Sequence, residues 1–582
     1  MIHPFCGKKN SLQAPLFPVR AFIPEPYKLG SIYDMVARFG PVLFKRSDFP
    51  EAENERGGTS GWCPIQLSAL VVLQENFGWT DRETVRRAAM DMQVKACLGL
   101  GIEQSGPGQS TLCRHRQQME EQQLDVAYTE RLQDIVEAVE LVDDKEGVLI
   151  DSVPIRGAGQ QLDTYNLLGA AVRSGLRTLA RQRGQDVEDV AAGLGLEAYV
   201  NRSIKGRFEV DWSNEASRIR FLDQLVEDAL RIRRELKTTD DSNEDDDGDQ
   251  RPQGDPDSDA QQVVEAIDDI VEHDVERDAQ GHALGIRDKA AGDRRISITD
   301  PNMRHGRKSA SELFSGFKAQ IVATALYGFI LICRVIKANE HDGEKLPALA
   351  QELKERGSDP AWWAGDHAYG TIANHMAFAS GEYGELIARM PRPANGGRFT
   401  KDEFDYDFDT CTLTCPAGQT ASWRWYTQRA RQKGRLFTFD KQACAACPSR
   451  SQCVREKATG GRTVFIIDEQ EGLIRDHLER RKQPAFLERL AQRPTVERVI
   501  AGFAQSSGKQ ARRFGMQHVQ FDANLSALSY NLRRFGGLLR RNKELAQHVG
   551  KLISKAAGRF LMRLFSVLSP PPCHEPLLLQ AA

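Results

Sequence analysis

The chain has 582 residues, room for about three to five folding units at roughly 100–200 residues each, so a single compact core is excluded. Hydrophobic residues make up 40% and charged residues 27%, which excludes wholesale disorder, collagen and a membrane bundle. The formal net charge of −3 conceals two opposed blocks: between Asp240 and Asp278, 17 Asp or Glu face two Arg, whereas between Arg475 and Arg563, 19 Lys or Arg face six acids.

The N-terminal MIHPFCGKKNSLQAPLF lacks a continuous apolar segment followed by a small-residue cleavage site, so no secretory signal is expected. Residues 64–140 read as helices, because Ile65, Leu67, Leu70, Val71 and Leu73, then Val85, Ala88 and Ala89, recur at near-helical spacing. Thr80 with Glu83 is placed to cap a helix start. A loop, Ser105–Ser110, leads into Thr111–Gln117, whose basic character fits a DNA-contacting helix after a turn and equally a solvated helix face. Gly147–Ile155 reads as a buried strand with one acid at its centre, and 167–237 as helical again. Thr238–Asp259 has too few apolar residues to pack, which predicts a disordered linker. Two β-rich runs between Phe317 and Ile336 flank Tyr327-Gly328 as in a hairpin, and Ala361–Gly370 reads as strand, acid, turn. The most apolar stretch, Ile321–Cys333, has 13 residues, short of the roughly 17–25 that cross a bilayer. A cytoplasmic protein without a membrane partner is expected. Five of the eleven cysteines fall between Cys411 and Cys453, and helical periodicity returns over 470–545.

Three acids stand out by setting: Asp151 inside the first strand, Asp366 at the end of another, and Glu497 near a helix start after Pro494, among Val496, Val499, Ile500 and Phe503. Each alone reads better as a capping or salt-bridged carboxylate. If the three converge, they make an oxygen cage for two Mg²⁺ or Mn²⁺ ions, which activates a water or hydroxyl at phosphorus. The cysteines read Cys411-x3-Cys415-Pro-x27-Cys444-x2-Cys447-Pro-x4-Cys453. Thiolates at such spacing favour tetrahedral Zn²⁺, with a reduced-cysteine core or an iron–sulfur cluster as alternatives. Cys415, Cys444, Cys447 and Cys453 are the preferred four, since Pro follows Cys415 and Cys447; Cys411 is then spare. Between the pairs, Trp423-Arg424-Trp425-Tyr426 continues to Lys433, a strip that can stack an unpaired base and hold phosphates, or form a half-buried strand with one charged face. The C-terminal basic block, with Lys509, Arg512 and Arg513, reads as a phosphate-binding surface or as solvated helix faces.

These residues resemble the DDE transposases of bacterial insertion sequences, in the group with a helical N-terminal domain and a cysteine-rich insertion. The resemblance rests on Leu149–Ile155 with Asp163–Asn166, Ser297–Pro301 with Phe317-Lys318, Asn339–Asp342, Gly365–Gly370 and Arg493-x3-Glu497, and covers most of the chain. It implies an α+β multidomain protein with an RNase H-like (retroviral-integrase-like) α/β catalytic core and a zinc-ribbon-like insertion. It implies Asp151, Asp366 and Glu497 as the metal-binding triad, Arg493 as a companion on a terminal phosphate, and the same zinc set. Many relatives have a Tyr three residues before that Arg and a Lys seven after the Glu, where this chain has Leu490 and Ala504; Lys509 is the candidate replacement phosphate contact.

On this basis residues 1–140 are expected to be a helical DNA-binding or dimerisation domain. Residues 141–400 are the first part of the core, with a helical insertion 167–237 and an acidic disordered linker 238–280. Residues 401–465 are the zinc-binding insertion, 466–545 the last part of the core and 546–582 a tail. The expected function is binding of terminal inverted repeats with metal-dependent cleavage and strand transfer on double-stranded DNA, by a homodimer associated with the nucleoid when bound. The alternatives are a catalytically impaired zinc-ribbon DNA-binding regulator and an RNase H-like nuclease without strand transfer.

Overall fold

The computed structural model describes residues 17–552 except 24, 50–61, 143–145, 202–203, 205, 241–255, 289–290, 310, 392–394, 428–431 and 507–508. Two units share the chain: Met1–Asp143, Gly502–Ser507 and Asn524–Ala582 belong to one, Asp144–Ala501 and Gly508–Ala523 to the other.

The described part of the first unit is helical: α1 (Val19–Phe22), α2 (Ile32–Leu43), α3 (Pro64–Phe77), α4 (Asp81–Met90), α5 (Met92–Leu98), α6 (Gln109–Glu121) and α7 (Leu124–Glu137). Helix α3 is buried at every position from Ile65 to Asn76, as a helix without a continuous polar face must be. The Thr80 hydroxyl accepts from the Glu83 amide at the start of α4, the cap expected from sequence. On α6, the predicted basic helix, Leu112, His115 and Met119 face inward and Arg116 pairs with Asp81, leaving Arg114 exposed. The His115 ring lies 5.0 Å from the Phe49 ring and shares a 3.0 Å hydrogen bond with Ser68 Oγ; burial pushes its imidazole down to about 3. Far along the chain, Ser526 Oγ donates to Glu75 Oε1 (2.6 Å) and Asn524 Nδ2 to Asp125 Oδ2 (2.7 Å). From Asn524 onward, residues expected in the last part of the catalytic core therefore pack with the N-terminal helices instead, held by buried polar bonds as well as by apolar contact.

The second unit begins with β1 (Val148–Arg156), followed by α8 (Thr164–Arg183), α9 (Val187–Leu194), α10 (Glu215–Asp240), α11 (Pro256–Asp274), β2 (Val275–Arg277) and β3 (Ala283–Ile286). It continues with β4 (Arg304–Arg307), β5 (Leu313–Thr324), β6 (Ile330–Lys337), α12 (Leu346–Glu355), β7 (Trp362–Ala364), α13 (Ile372–Ala379) and β8 (Glu385–Ile387). Strands β6-β5-β1-β7-β8 lie side by side, with β4 along the start of β5. The β5–β6 hairpin is antiparallel to β1, whereas β1, β7 and β8 run parallel. Side chains alternate across a strand: Val148 and Ile150 pack on one face with Leu346, Leu349 and Tyr369, and Leu149 on the other with Ala364, Ile387, Phe486 and Val496. This mixed α/β arrangement is consistent with an RNase H-like core.

The linker expected to be disordered over 238–280 needs correction. Residues 241–255 lie outside the described residues, but 256–274 form α11, which packs on α8 and α10. Ala260, Val263, Ile267, Ile270 and Val271 recur at helical spacing and are each at most 5% exposed. Acid counting hid this stripe, because the acids occupy the other face, where Asp259 pairs with Arg181 and Asp268 with Arg233.

A separate antiparallel sheet follows, β9 (Asp405–Asp407), β10 (Thr412–Thr414), β11 (Thr420–Thr427), β12 (Lys433–Thr438) and β13 (Thr463–Ile466), with α14 (Lys441–Ala445) and α15 (Arg450–Cys453) between the last two strands. Tyr406, Leu413, Phe437 and Phe439 form its core. Four helices come next, α16 (Asp468–Arg480), α17 (Pro484–Leu490), α18 (Pro494–Phe503) and α19 (Met516–Arg541), and residues 543–552, the last ones described, are helical as well. No helix among the described residues is long and apolar enough to cross a membrane.

Two outcomes follow from this packing. Ile267→Ala should cost about 2–5 kcal/mol in urea unfolding, as a buried large-to-small change does, whereas a residue in a disordered linker would leave the curve unmoved. His115 is held neutral in the folded state, so the unfolded chain takes up the extra proton once pH falls below its ordinary value near 6.5, and stability is lost toward acid. His115→Gln removes that loss: the stability gap between wild type and variant should shrink by roughly 2 kcal/mol between pH 7 and pH 5, measured by urea unfolding at both pH values.

Candidate functional site

The parallel pairing of β1 and β7 sets the site. Leu149 is aligned with Ala364; Asp151 lies two residues further along β1, and Asp366 lies two residues beyond the end of β7, at the start of the turn that follows it. Both are half-buried. Burial pushes the Asp151 carboxyl up to about 6; the charges of Asp366 and Asp342 add to this, while the Ser152 amide and Arg493 oppose it. The Ser152 amide donates to Asp151 Oδ1 at 2.8 Å, and the Ala368 amide donates to Asp366 Oδ1 at 2.8 Å. The turn carrying Asp366 is tight: a Cβ at Gly365 would meet Tyr369 Cβ at 3.0 Å and Ile150 Cγ2 at 3.1 Å.

Arg493, half-buried just before α18, acts electrostatically on Asp151, and its Nε is buried without a hydrogen-bond partner. Glu497, one turn later, is exposed. Its neighbour Val496 packs against Leu149 and Ala364 beneath the two acid-bearing strand ends. The structure thus brings Asp151, Asp366 and Arg493 together and leaves the Glu497 carboxylate in solvent. Lys509 is exposed on a segment running beside the end of β1, where Arg156 N donates to Lys509 O (2.9 Å) and Ala511 N to Arg156 O (2.8 Å). Arg512 is exposed, and Arg513 is paired with Asp522 at 2.7 Å.

Asp342 is near Asp151 although sequence reasoning gave it no role. Its Oδ2 accepts from Ser152 Oγ (2.8 Å) and its Oδ1 pairs with Lys318. The Tyr369 hydroxyl is buried among Asp342, Asp151 and Asp366, makes no hydrogen bond of ordinary geometry, and is raised far above the usual tyrosine range by burial and then by those charges. The available signal was Lys318 and Gln320, two polar residues on one face of an otherwise apolar, buried strand.

In the cysteine-rich sheet, Cys415, Cys444, Cys447 and Cys453 line one cavity of about 40 Å³, together with Phe439, Arg450 and Arg462. Burial raises the Cys453 thiol; Arg462 opposes this, and Cys444, Cys415 and Cys447 reinforce it. Cys411 does not line this cavity; it adopts φ 53° with its Sγ turned toward Phe408 O (3.6 Å). On β11, Trp423, Trp425 and Tyr426 are exposed, with the Arg435 guanidinium over both indoles. Arg424, between the two Trp, is exposed on the opposite side of the strand. Among the described residues, the only His, Cys, Asp or Glu trio whose donor atoms all lie within 4.8 Å of one another is Asp223, Glu227 and His282. It joins α10 to the β2–β3 hairpin, with both Glu227 and His282 exposed.

Residues 414–535 match the family described as transposase DDE domain, and residues 19–118 match a transposase domain (DUF772). No curated protein matches the chain. The two matched domains indicate a transposase and are consistent with a DDE transposase of insertion sequences. The DDE match includes Arg493 and Glu497 and begins downstream of Asp151 and Asp366.

Proposed function

We propose that the protein binds the terminal inverted repeats of an insertion sequence and cuts and rejoins DNA by divalent-metal-dependent phosphoryl transfer. The observation that supports this reading best is the closeness of Asp151, on β1, to Asp366, just past the end of the parallel strand β7, with the Arg493 charge also acting on Asp151. Two carboxylates forced together and partly desolvated repel each other, and this is the chemistry of a site that takes a hard cation. Asp151 and Asp366 would hold Mg²⁺ or Mn²⁺, with Glu497 completing the set of oxygen donors. Bound there, two such ions supply charge stabilisation at phosphorus and acidify an attacking water or DNA 3′-hydroxyl. Arg493 meets a phosphate oxygen with its unpaired Nε, and Lys509, Arg512 and the exposed side chains of β11, with Trp423 on one face and Arg424 on the other, extend contact with DNA. A second copy of the chain would serve the second transposon end.

We further propose that Cys415, Cys444, Cys447 and Cys453 hold Zn²⁺. Four cysteines lining one small cavity, with burial opposing ionisation of the Cys453 thiol, suit a cation that stabilises thiolate. The site would fix β10 to α14 and α15 and so support the β11–β12 hairpin.

The altered Leu490 and Ala504, with Glu497 in solvent, favour one competing reading, a DNA-binding regulator whose core no longer cuts. Linear DNA carrying the sequences that flank the reading frame, incubated with protein and Mg²⁺ or Mn²⁺, separates the two. Wild type should bind and nick it. Asp151→Ala should bind within about threefold of wild type and lose at least roughly 10³-fold in nicking, as removal of an electrostatic centre does. Normal nicking by that variant would remove Asp151 from the site, and binding without nicking by wild type in both metals would establish the regulator. For the cysteine cavity, purified protein should carry about one equivalent of zinc by elemental analysis; Cys447→Ser should lose it and Cys411→Ser keep it.

A further inference from the structure

One charged group beside the two acids has no part in the scheme above. Asp342 begins a short 3₁₀ turn after β6 (Asp342–Lys345), and it approaches β1 on the face that carries Ser152, opposite to the face on which Asp151 projects. Lys318 and Gln320, two residues apart on β5, clamp it there. Lys318 Nζ binds the Asp342 carboxylate and the Glu340 carbonyl, and Gln320 Nε2 donates to the Asp342 carbonyl. Lys318 is 9% exposed and Gln320 fully buried.

The same turn is tied to the loop of Asp366. Asn374, buried, donates from one Nδ2 to Gly343 O (2.8 Å) and Tyr369 O (2.9 Å). A Cβ at Gly343 would come within 2.3 Å of Ala368 O, so the two segments are as close as glycine permits.

We propose that Asp342 is a positioning residue of the Asp151–Asp366 site, which fixes Ser152 from behind the sheet and takes no metal itself. This rests on the functional reading above. Both Asp342 carboxylate oxygens are engaged, one by Lys318 and one by Ser152 Oγ, so a cation would have to displace a donor. The path to the acid is short. Ser152 Oγ anchors the residue on Asp342, and the amide of the same Ser152 orients Asp151 through Oδ1. A buried ion pair adds little to stability against an apolar replacement, whereas removal of one partner leaves the other charge stranded. A role in geometry rather than in charge therefore predicts that neutralising both partners is milder than neutralising either.

The test uses the full chain and Mn²⁺ as probe, with binding read by electron paramagnetic resonance and nicking of the flanking DNA read separately. Asp342→Asn and Lys318→Met should each weaken Mn²⁺ binding about 3- to 10-fold, and the double variant should return to within about threefold of wild type, a non-additivity that marks coupled partners. Ser152→Ala, which leaves every charge in place, should weaken binding about threefold. If Asp342→Asn abolishes Mn²⁺ binding as fully as Asp151→Ala, with no recovery in the double variant, Asp342 is a ligand and the proposal falls. It falls equally if Asp342→Asn, Lys318→Met and Ser152→Ala all match wild type. Loss of Mn²⁺ binding in Asp151→Ala without nicking by wild type would sink the functional reading and leave the positioning result standing. Should Asp342→Asn fail to fold, Ser152→Ala and the double variant decide.

Discussion

Two like charges, one on β1 and one just past the end of the neighbouring parallel strand β7, are the constraint around which the candidate site is built. Backbone pairing brings the two acids near each other: the register Leu149 to Ala364 sets Asp151 two residues further along β1, beside the turn that carries Asp366 past the end of β7. Desolvation by burial, with the repulsion of Asp366 added to it, raises the Asp151 carboxyl. The surrounding elements resist that repulsion. Apolar packing fastens the strands from both faces, through Ile150 with Leu346 and Tyr369 on one side and Leu149 with Val496 on the other. Backbone amides of Ser152 and Ala368 then hold the carboxylates themselves.

Packing and chemistry are separated here by strand alternation. On β1, even-numbered residues face α12 and α13 and odd-numbered ones face α17 and α18, so Asp151 and Ser152 point to opposite faces. The functional carboxylate opens toward Arg493, while its neighbour is tethered behind the sheet to Asp342. A one-residue slip of β1 would exchange the two faces and bury the acid among apolar side chains. Nine consecutive partners along β5, from Val148 with Thr324 to Arg156 with Gly316, make that slip costly.

Much of this was legible in the sequence where the signal is local. The apolar run around Asp151 reads as a strand because charge is rare in such a setting, and Tyr327-Gly328 marks the β5–β6 hairpin, with Gly328 at φ 68°. Cysteine spacing with the two prolines sets Cys415, Cys444, Cys447 and Cys453 apart from Cys411; those four line one cavity, but no three of their sulfurs lie within 4.8 Å of one another. Non-local relations were not legible. The β1–β7 pairing spans an insertion of four helices and a hairpin, and no local pattern states that Ala364 lies beside Leu149. The stripe of α11 was hidden because composition averages its acidic and apolar faces together. Asp342 was visible as part of Asn339–Asp342, but its role depends on Lys318 and Ser152, which come from two other strands.

The exposed position of Glu497 follows from the same electrostatics. Two unit charges 4 Å apart interact by about 4 kcal/mol at an effective dielectric constant of 20, so a third carboxylate pressed onto Asp151 and Asp366 would add repulsion that Arg493 alone only partly offsets. With the helix α18 anchored by Val496, Val499 and Phe503, each at most 1% exposed, the backbone beneath Glu497 is already fixed. Only the side chain is left free to choose between water and the acid pair. In the protein alone, water is the lower-energy choice. A divalent cation held at the two acids, as proposed above, would reverse the sign of that choice, because it would turn a region that repels carboxylate into one that attracts it.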